Sequence, residues 1–134
     1  MTTDLLLDIN LQTLPDTYLA GDWLVANRAL NRNPPGSPLA QATRLVLRPD
    51  AALLAHQPAA PAPETGQWAV LRDELLNRPY LTFALAAEEA RALVTRLRRS
   101  ADGRSAQLNL YFATGMELLL NLAPAADVSG ADLA

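Results

Sequence analysis

No stretch constrains this chain more than Leu108–Leu122, LNLYFATGMELLLNL. A three-residue turn at Ala113-Thr114-Gly115 folds it back so that Phe112 faces Met116, Leu110 faces Leu118 and Leu108 faces Leu120. These side chains share one face. The other face sets Tyr111 opposite Glu117, Asn109 opposite Leu119 and Gln107 opposite Asn121. Strict alternation on both arms is the pattern of a half-buried antiparallel pair. Gly115 falls where such a turn needs a left-handed residue.

The segment before it, Ala86–Ser100, reads two ways. As a helix it has glutamates at its start (Glu88, Glu89), arginines at its end (Arg96, Arg98, Arg99) and an Ala90, Leu93, Val94, Leu97 stripe. As a strand it leads into Asp102-Gly103, a strong hairpin signal. A two-residue turn there pairs Leu97 with Leu108, Thr95 with Leu110 and Leu93 with Phe112, and Arg98 with Gln107 and Arg96 with Asn109 outside. One register then serves three strands, so the sequence favours a strand over 93–97. The alternative is an α+β fold with a helix at 87–99.

Upstream, Tyr18–Ala26 is a strand opening at Gly21, and Asn31–Pro38 is a loop. Ala42–Arg48 alternates, with Leu45 and Leu47 on one side and Arg44, Val46 and Arg48 on the other. Pro49-Asp50 turns the chain towards a strand at Ala51–Ala55. Residues 57–66, QPAAPAPETG, form a semi-rigid loop within the domain. Gly66-Gln67-Trp68 starts the next strand, and Tyr80–Leu85 alternates Leu81, Phe83 and Leu85 with Tyr80, Thr82 and Ala84. Residues 4–14 fit a short amphipathic helix or an extended arm.

The expectation is an all-β chain, a small up-and-down antiparallel β-barrel of about eight strands. Residues 1–14 are an N-terminal arm, 15–123 the barrel domain and 124–134 a flexible tail. One domain suits 134 residues. A net charge of −3 excludes a basic field for nucleic acid. With no cysteine, disulfides, thiolate metal sites and cysteine nucleophiles are excluded. No apolar run reaches the ~18 residues of a membrane span. The acidic N-terminus, MTTDLLLDINLQTL, is unlike a signal peptide. The chain as given therefore reads as cytoplasmic, or as exported if a signal peptide once preceded it.

Leu19-Ala20-Gly21-Asp22-Trp23 resembles the opening of the first barrel strand in lipocalins and bacterial lipocalin-like proteins. The order that follows resembles the bacterial lipocalin-like group too: Leu45-Val46-Leu47 before a turn at Pro49-Asp50, then Gly66-Gln67-Trp68, then Thr114-Gly115-Met116-Glu117-Leu118. The resemblance spans about residues 14–123. It departs from lipocalins proper in having no Thr-Asp-Tyr motif, no cysteine pair and no basic residue on the last strand to pack across Trp23. It implies a barrel holding an apolar small molecule or lipid, with Trp23, Val25, Leu45, Leu47, Trp68, Val70, Arg72, Leu81, Phe83, Leu85, Leu108, Leu110, Phe112, Leu118 and Leu120 as ligand-binding residues.

The same residues serve a barrel filled solid, where Trp23 and Trp68 plug one end and the Leu/Phe stripe is core. Arg72 shares parity with Trp68 and Val70. Facing inward it would hold a carboxylate; at the strand's end, beside Asp73 and Glu74, it would be solvated. His56, the one histidine, has no second imidazole to make a zinc site and reads as surface. Glu88-Glu89 and Arg98-Arg99 read as solvated charge. No cofactor, no metal and no enzymatic activity are expected. Two functions remain: a lipocalin-like binding domain, or a structural or protein-interaction module in a multiprotein assembly. In the second, Leu5, Leu7, Ile9 and Leu11 alternate as a strand that would extend a sheet edge of a partner or of a second copy through residues 5–14. Otherwise the arm plugs its own barrel mouth.

Overall fold

In the sheet that the chain builds, each ring strand pairs with its neighbour in sequence, and the last returns to the first. The computed structural model describes residues 5–29, 37–58, 60–86 and 88–124. The strands are β1 (Leu7–Asp8), β2 (Gly21–Ala29), β3 (Arg44–Leu47), β4 (Ala52–His56), β5 (Glu64–Arg72), β6 (Pro79–Leu85), β7 (Glu89–Arg99), β8 (Ala106–Phe112) and β9 (Glu117–Leu122). A one-turn helix, α1 (Pro38–Gln41), lies between β2 and β3, and a 3₁₀ turn (Asp16–Tyr18) precedes β2. Strands β2 to β9 close an eight-membered antiparallel ring through β2–β9 and β7–β8, with β1 outside it on β7. The all-β barrel is therefore the fold.

Antiparallel neighbours sort the connections into two rims. The upper rim carries α1 and the β4–β5, β6–β7 and β8–β9 connections. The lower rim carries the N-terminal segment and the β3–β4, β5–β6 and β7–β8 connections. Alternation fixes which side chains enter the core, as in β6 and β8, where every second residue is buried. Each fully buried leucine contributes about 1.5–3 kcal/mol.

The β8–β9 hairpin matches the sequence pattern pair for pair. Its turn closes by the Phe112 amide donating to Met116 O at 2.8 Å, and Gly115 has φ +96°. Residues 89–99 form a strand, because β6 and β8 both pair with them. The register beyond Arg96 differs from expectation. A bulge at Thr95 adds one residue, so Val94 faces Leu110 and Ala92 faces Phe112, while Leu93 pairs with Tyr111 on the outer wall. The Asp102-Gly103 turn is also wider than a two-residue one. It closes at the Ser100–Ser105 pair, and only Gly103 takes positive φ, +75°. The register survives because the turn stays centred on the same two residues.

Gly66 does not open a strand, since β5 starts at Glu64. Its role is close approach: a Cβ there would stand 2.1 Å from the Ala84 carbonyl oxygen of β6. Most of the expected loop Asn31–Pro38 and nearly all of the expected tail lie outside the described residues.

Candidate functional site

The barrel interior is the first place to look for a site. Trp23, Leu45, Leu47, Leu81, Phe83, Leu108, Leu110, Phe112, Leu118 and Leu120 all point inward and are 0–1% exposed. Side chains buried to that degree pack against one another and fill the interior. Leu85 and Trp68 are buried nearer the ends, and Val25 and Val70 pack on the same cluster, half-buried. Phe83 and Phe112 stack with ring centroids 5.7 Å apart. Leu53, Val94, Leu97 and Met116 complete the filling.

Each tryptophan is tied by its indole N–H as well as by packing. Trp23 Nε1 donates to Leu19 O at 3.0 Å and Trp68 Nε1 to Arg48 O at 2.8 Å. Both acceptors belong to segments at the lower rim.

Arg72 neither lines the interior nor stands free in solvent. Its guanidinium donates to three backbone carbonyls, Leu11 O at 3.0 Å, Leu14 O at 2.8 Å and Asn77 O at 3.0 Å, with Asp16 3.6 Å away. It clamps the N-terminal arm to the β5–β6 connection. The arm first extends β7: Leu7 pairs with Arg99, Asp8 with Arg98, and the Ile9 amide donates to Leu97 O. It can do so because β6 covers β7 only from Glu89 to Leu93, leaving the edge beyond open. The arm then crosses the lower rim and buries Leu14. In this structure the arm both extends a sheet edge and covers a barrel end, and both belong to its own chain.

The upper rim has a matching clamp that sequence parity hides. A bulge at Ala26 between β2 and β9 turns Arg28 to the inner side, opposite Leu118. Its guanidinium donates to Ala42 O and, at 3.5 Å, to Leu39 O, the carbonyls at the end of α1. Burial pushes the Arg28 guanidinium below its ordinary pKa. At the other end of α1, Glu88 accepts from Ser37 Oγ at 2.5 Å and from the Leu39 amide at 3.3 Å. Leu39 and Ala42 are thereby held fully buried over the barrel. Ser37-Pro38 carried the available signal for α1, an N-cap serine followed by proline at the first helical position. Nothing in the sequence marked Arg28.

Several shallow depressions lie on the outside of the barrel. One of about 520 Å³ lies at the upper rim among Thr82, Phe83, Glu89, Arg91, Phe112 and Thr114. Another of about 310 Å³ lies on the outer wall among Asp73, Arg78, Tyr80, Arg91, Leu93 and Tyr111, with the Arg91 guanidinium 5.1 Å from the Tyr80 ring centre. The buried Phe83–Phe112 pair closes the first from the interior. His56 ends β4, half-buried, and no group of three or more His, Cys, Asp or Glu placed to hold a metal ion occurs among the described residues. No described helix is long and apolar enough to cross a membrane. No family model, curated protein or solved structure matches this chain.

Proposed function

We propose that this chain is a lipocalin-like barrel filled by its own side chains, which works through its surface as a structural or interaction module of a multiprotein assembly. The observation carrying the reading is the interior itself: the ten inward-pointing side chains named above expose 0–1% of their surface, and both rims are covered by segments hydrogen-bonded in place. A site for a drug-sized apolar ligand needs ~300 Å³ or more of enclosed space. The kinship with lipocalin-like proteins is supported by the eight-stranded up-and-down ring and by Gly21-Asp22-Trp23 opening its first strand. The proposal assigns the chain no reaction and no cofactor.

Native mass spectrometry of the purified chain tests it. The expected spectrum shows bare polypeptide mass, and an apolar fluorescent dye gains no intensity on mixing with the protein. A co-purified lipid or other apolar adduct, displaced by that dye, would return the barrel to ligand binding.

A further inference from the structure

We propose that the lower rim is the contact face of a homodimer, formed by the N-terminal arm and the β5–β6 connection together. The inference rests on the surface-acting reading above and names the surface. Five large apolar side chains are exposed around this one end: Leu5 and Leu7 on the arm, Leu71 at the end of β5, and Leu75 and Leu76 on the connection. Leu75 is 94% exposed and Leu5 74%.

The leucines of the connection, Leu75 and Leu76, are held out rather than left loose. The Asp73 carboxylate accepts from the amides of Leu76 at 2.6 Å and Arg78 at 3.1 Å, and the Asn77 amide donates to Asp73 O. Asn77 itself sits at φ +52°. The connection is then stitched to the arm, with Gln12 Nε2 donating to Leu76 O and Asn77 Nδ2 to Gln12 O. Arg72 bonds both segments. A rigid apolar tip loses little conformational freedom on docking, which favours affinity.

Charge selects the occupant. The charges around this rim are mostly neutralised within the chain: Asp8 by Arg96 at 2.7 Å, Asp16 by Arg72 at 3.6 Å, Asp50 by Arg48 at 3.6 Å and Asp73 by Arg78 at 3.5 Å. Of the groups there that form no ion pair among the described residues, Arg98, Arg99 and Arg104 stand against Glu74 and Asp102, which leaves one net positive charge. One net charge gives such a face little field to attract an oppositely charged partner. A two-fold axis, by contrast, brings each patch against its own copy, and a nearly charge-balanced apolar face tolerates this. The five leucines expose the equivalent of roughly three whole leucine residues, on the order of 500 Å², which with a polar rim approaches the ~800 Å² per partner of a stable interface.

Sedimentation velocity and native mass spectrometry of the full chain at micromolar concentration test the proposal. The unmodified protein is expected as a dimer. The paired substitutions Leu75→Asp with Leu76→Asp, and Leu5→Asp with Leu7→Asp, should each weaken it at least ~100-fold, since each pair removes two buried leucines and adds like charges across the axis. Tyr111→Asp, on the outer wall of β8, should leave the dimer intact. Hydrogen exchange on the unmodified chain gives a reading independent of any variant's folding: amides of residues 73–78 should gain protection as concentration rises. A monomeric unmodified chain, or a dimer indifferent to both leucine pairs, overturns the proposal. So does a monomer that sediments with phosphatidylcholine vesicles, which would make the leucines a membrane contact. A monomer of bare mass sinks the dimer alone, whereas an apolar adduct would sink the filled-barrel reading.

Discussion

The two ends of this barrel are closed by the same device at different depths. At each end an irregular segment lies across the rim, and its carbonyls, which no neighbouring strand can satisfy, are met by an arginine from a ring strand. At the upper end Arg28 reaches α1 from the inner side, and Leu39 and Ala42 beneath it are fully buried. At the lower end Arg72 reaches the arm from the last residue of β5, and the arm's outer part is held by exposed groups such as Asp8 and Arg96. The upper lid is therefore part of the core, while the first residues of the lower lid are a surface fitting. The divide within the lower segment falls near Leu14, where burial begins.

Trp23→Ala tests that divide most severely. Its indole is fully buried and bonded to Leu19 O, so the substitution should cost about 3–5 kcal/mol and unfold a marginal domain. Denaturant unfolding measures it; a loss below ~1 kcal/mol would move Trp23 and the lower segment out of the core. Next comes the upper clamp. Arg28→Ala leaves Leu39 O and Ala42 O without their donor and is expected to cost about 2–3 kcal/mol. It should loosen α1 by hydrogen exchange, and unaltered protection at Leu39 would show that packing alone holds the lid.

The sequence revealed the walls better than the lids, and the reason is physical. Period-2 alternation is written into each strand, so the faces of β3, β6, β8 and β9 and the whole β8–β9 register could be read directly. Bulges break this arithmetic without leaving a mark. Thr95 shifted one side of β7, and Ala26 turned Arg28 inward, where no hydrophobic pattern would place it. Arg72 shared parity with the interior residues, but its partners come from segments 58 and 61 residues away, which spacing cannot indicate. Whether the interior is filled depends on the fit of side chains across the barrel, and that is a property of packing.

Two smaller effects sharpen the contrast. Gly115→Val forces a β-branched residue to φ +96° and should lower stability by about 1–2 kcal/mol; since nothing lies within 4 Å of its Cβ position, the loss would be conformational strain alone. Calorimetry showing no shift would mean the turn relaxes to another form. Arg72→Ala should cost about 1 kcal/mol, less than Arg28→Ala, because water can replace its donors at the partly open lower rim. The arm would then become sensitive to proteases ahead of the barrel, and equal losses at the two arginines would erase the difference between the ends.

The smallest expected effect is a dependence on acid confined to the lower rim. Hydrogen bonding from Arg96, aided by its charge, holds the Asp8 carboxyl below its ordinary 3.8. The Leu76 amide first, then the Arg78 amide and guanidinium, do the same for Asp73. Each carboxylate thus binds its proton less readily in the folded chain than in the unfolded one. Their contribution to stability is complete above pH 3.8 and is lost as pH falls through the lowered values. Asp8 is exposed and Asp73 lies at the surface, partly covered, so the consequence is local release rather than unfolding, and salt should diminish it. In an NMR titration, the amides of Leu7–Asp8 and of Asp73–Asn77 should shift and broaden below that pH. Those of Leu110 and Leu118, in the buried hairpin, should stay fixed. Asp8→Asn should abolish the arm's response and leave that of the β5–β6 connection, because the two carboxylates have separate partners. A response that disappears from both segments together would mean that arm and connection open as one unit. The lower lid would then be a single cooperative piece.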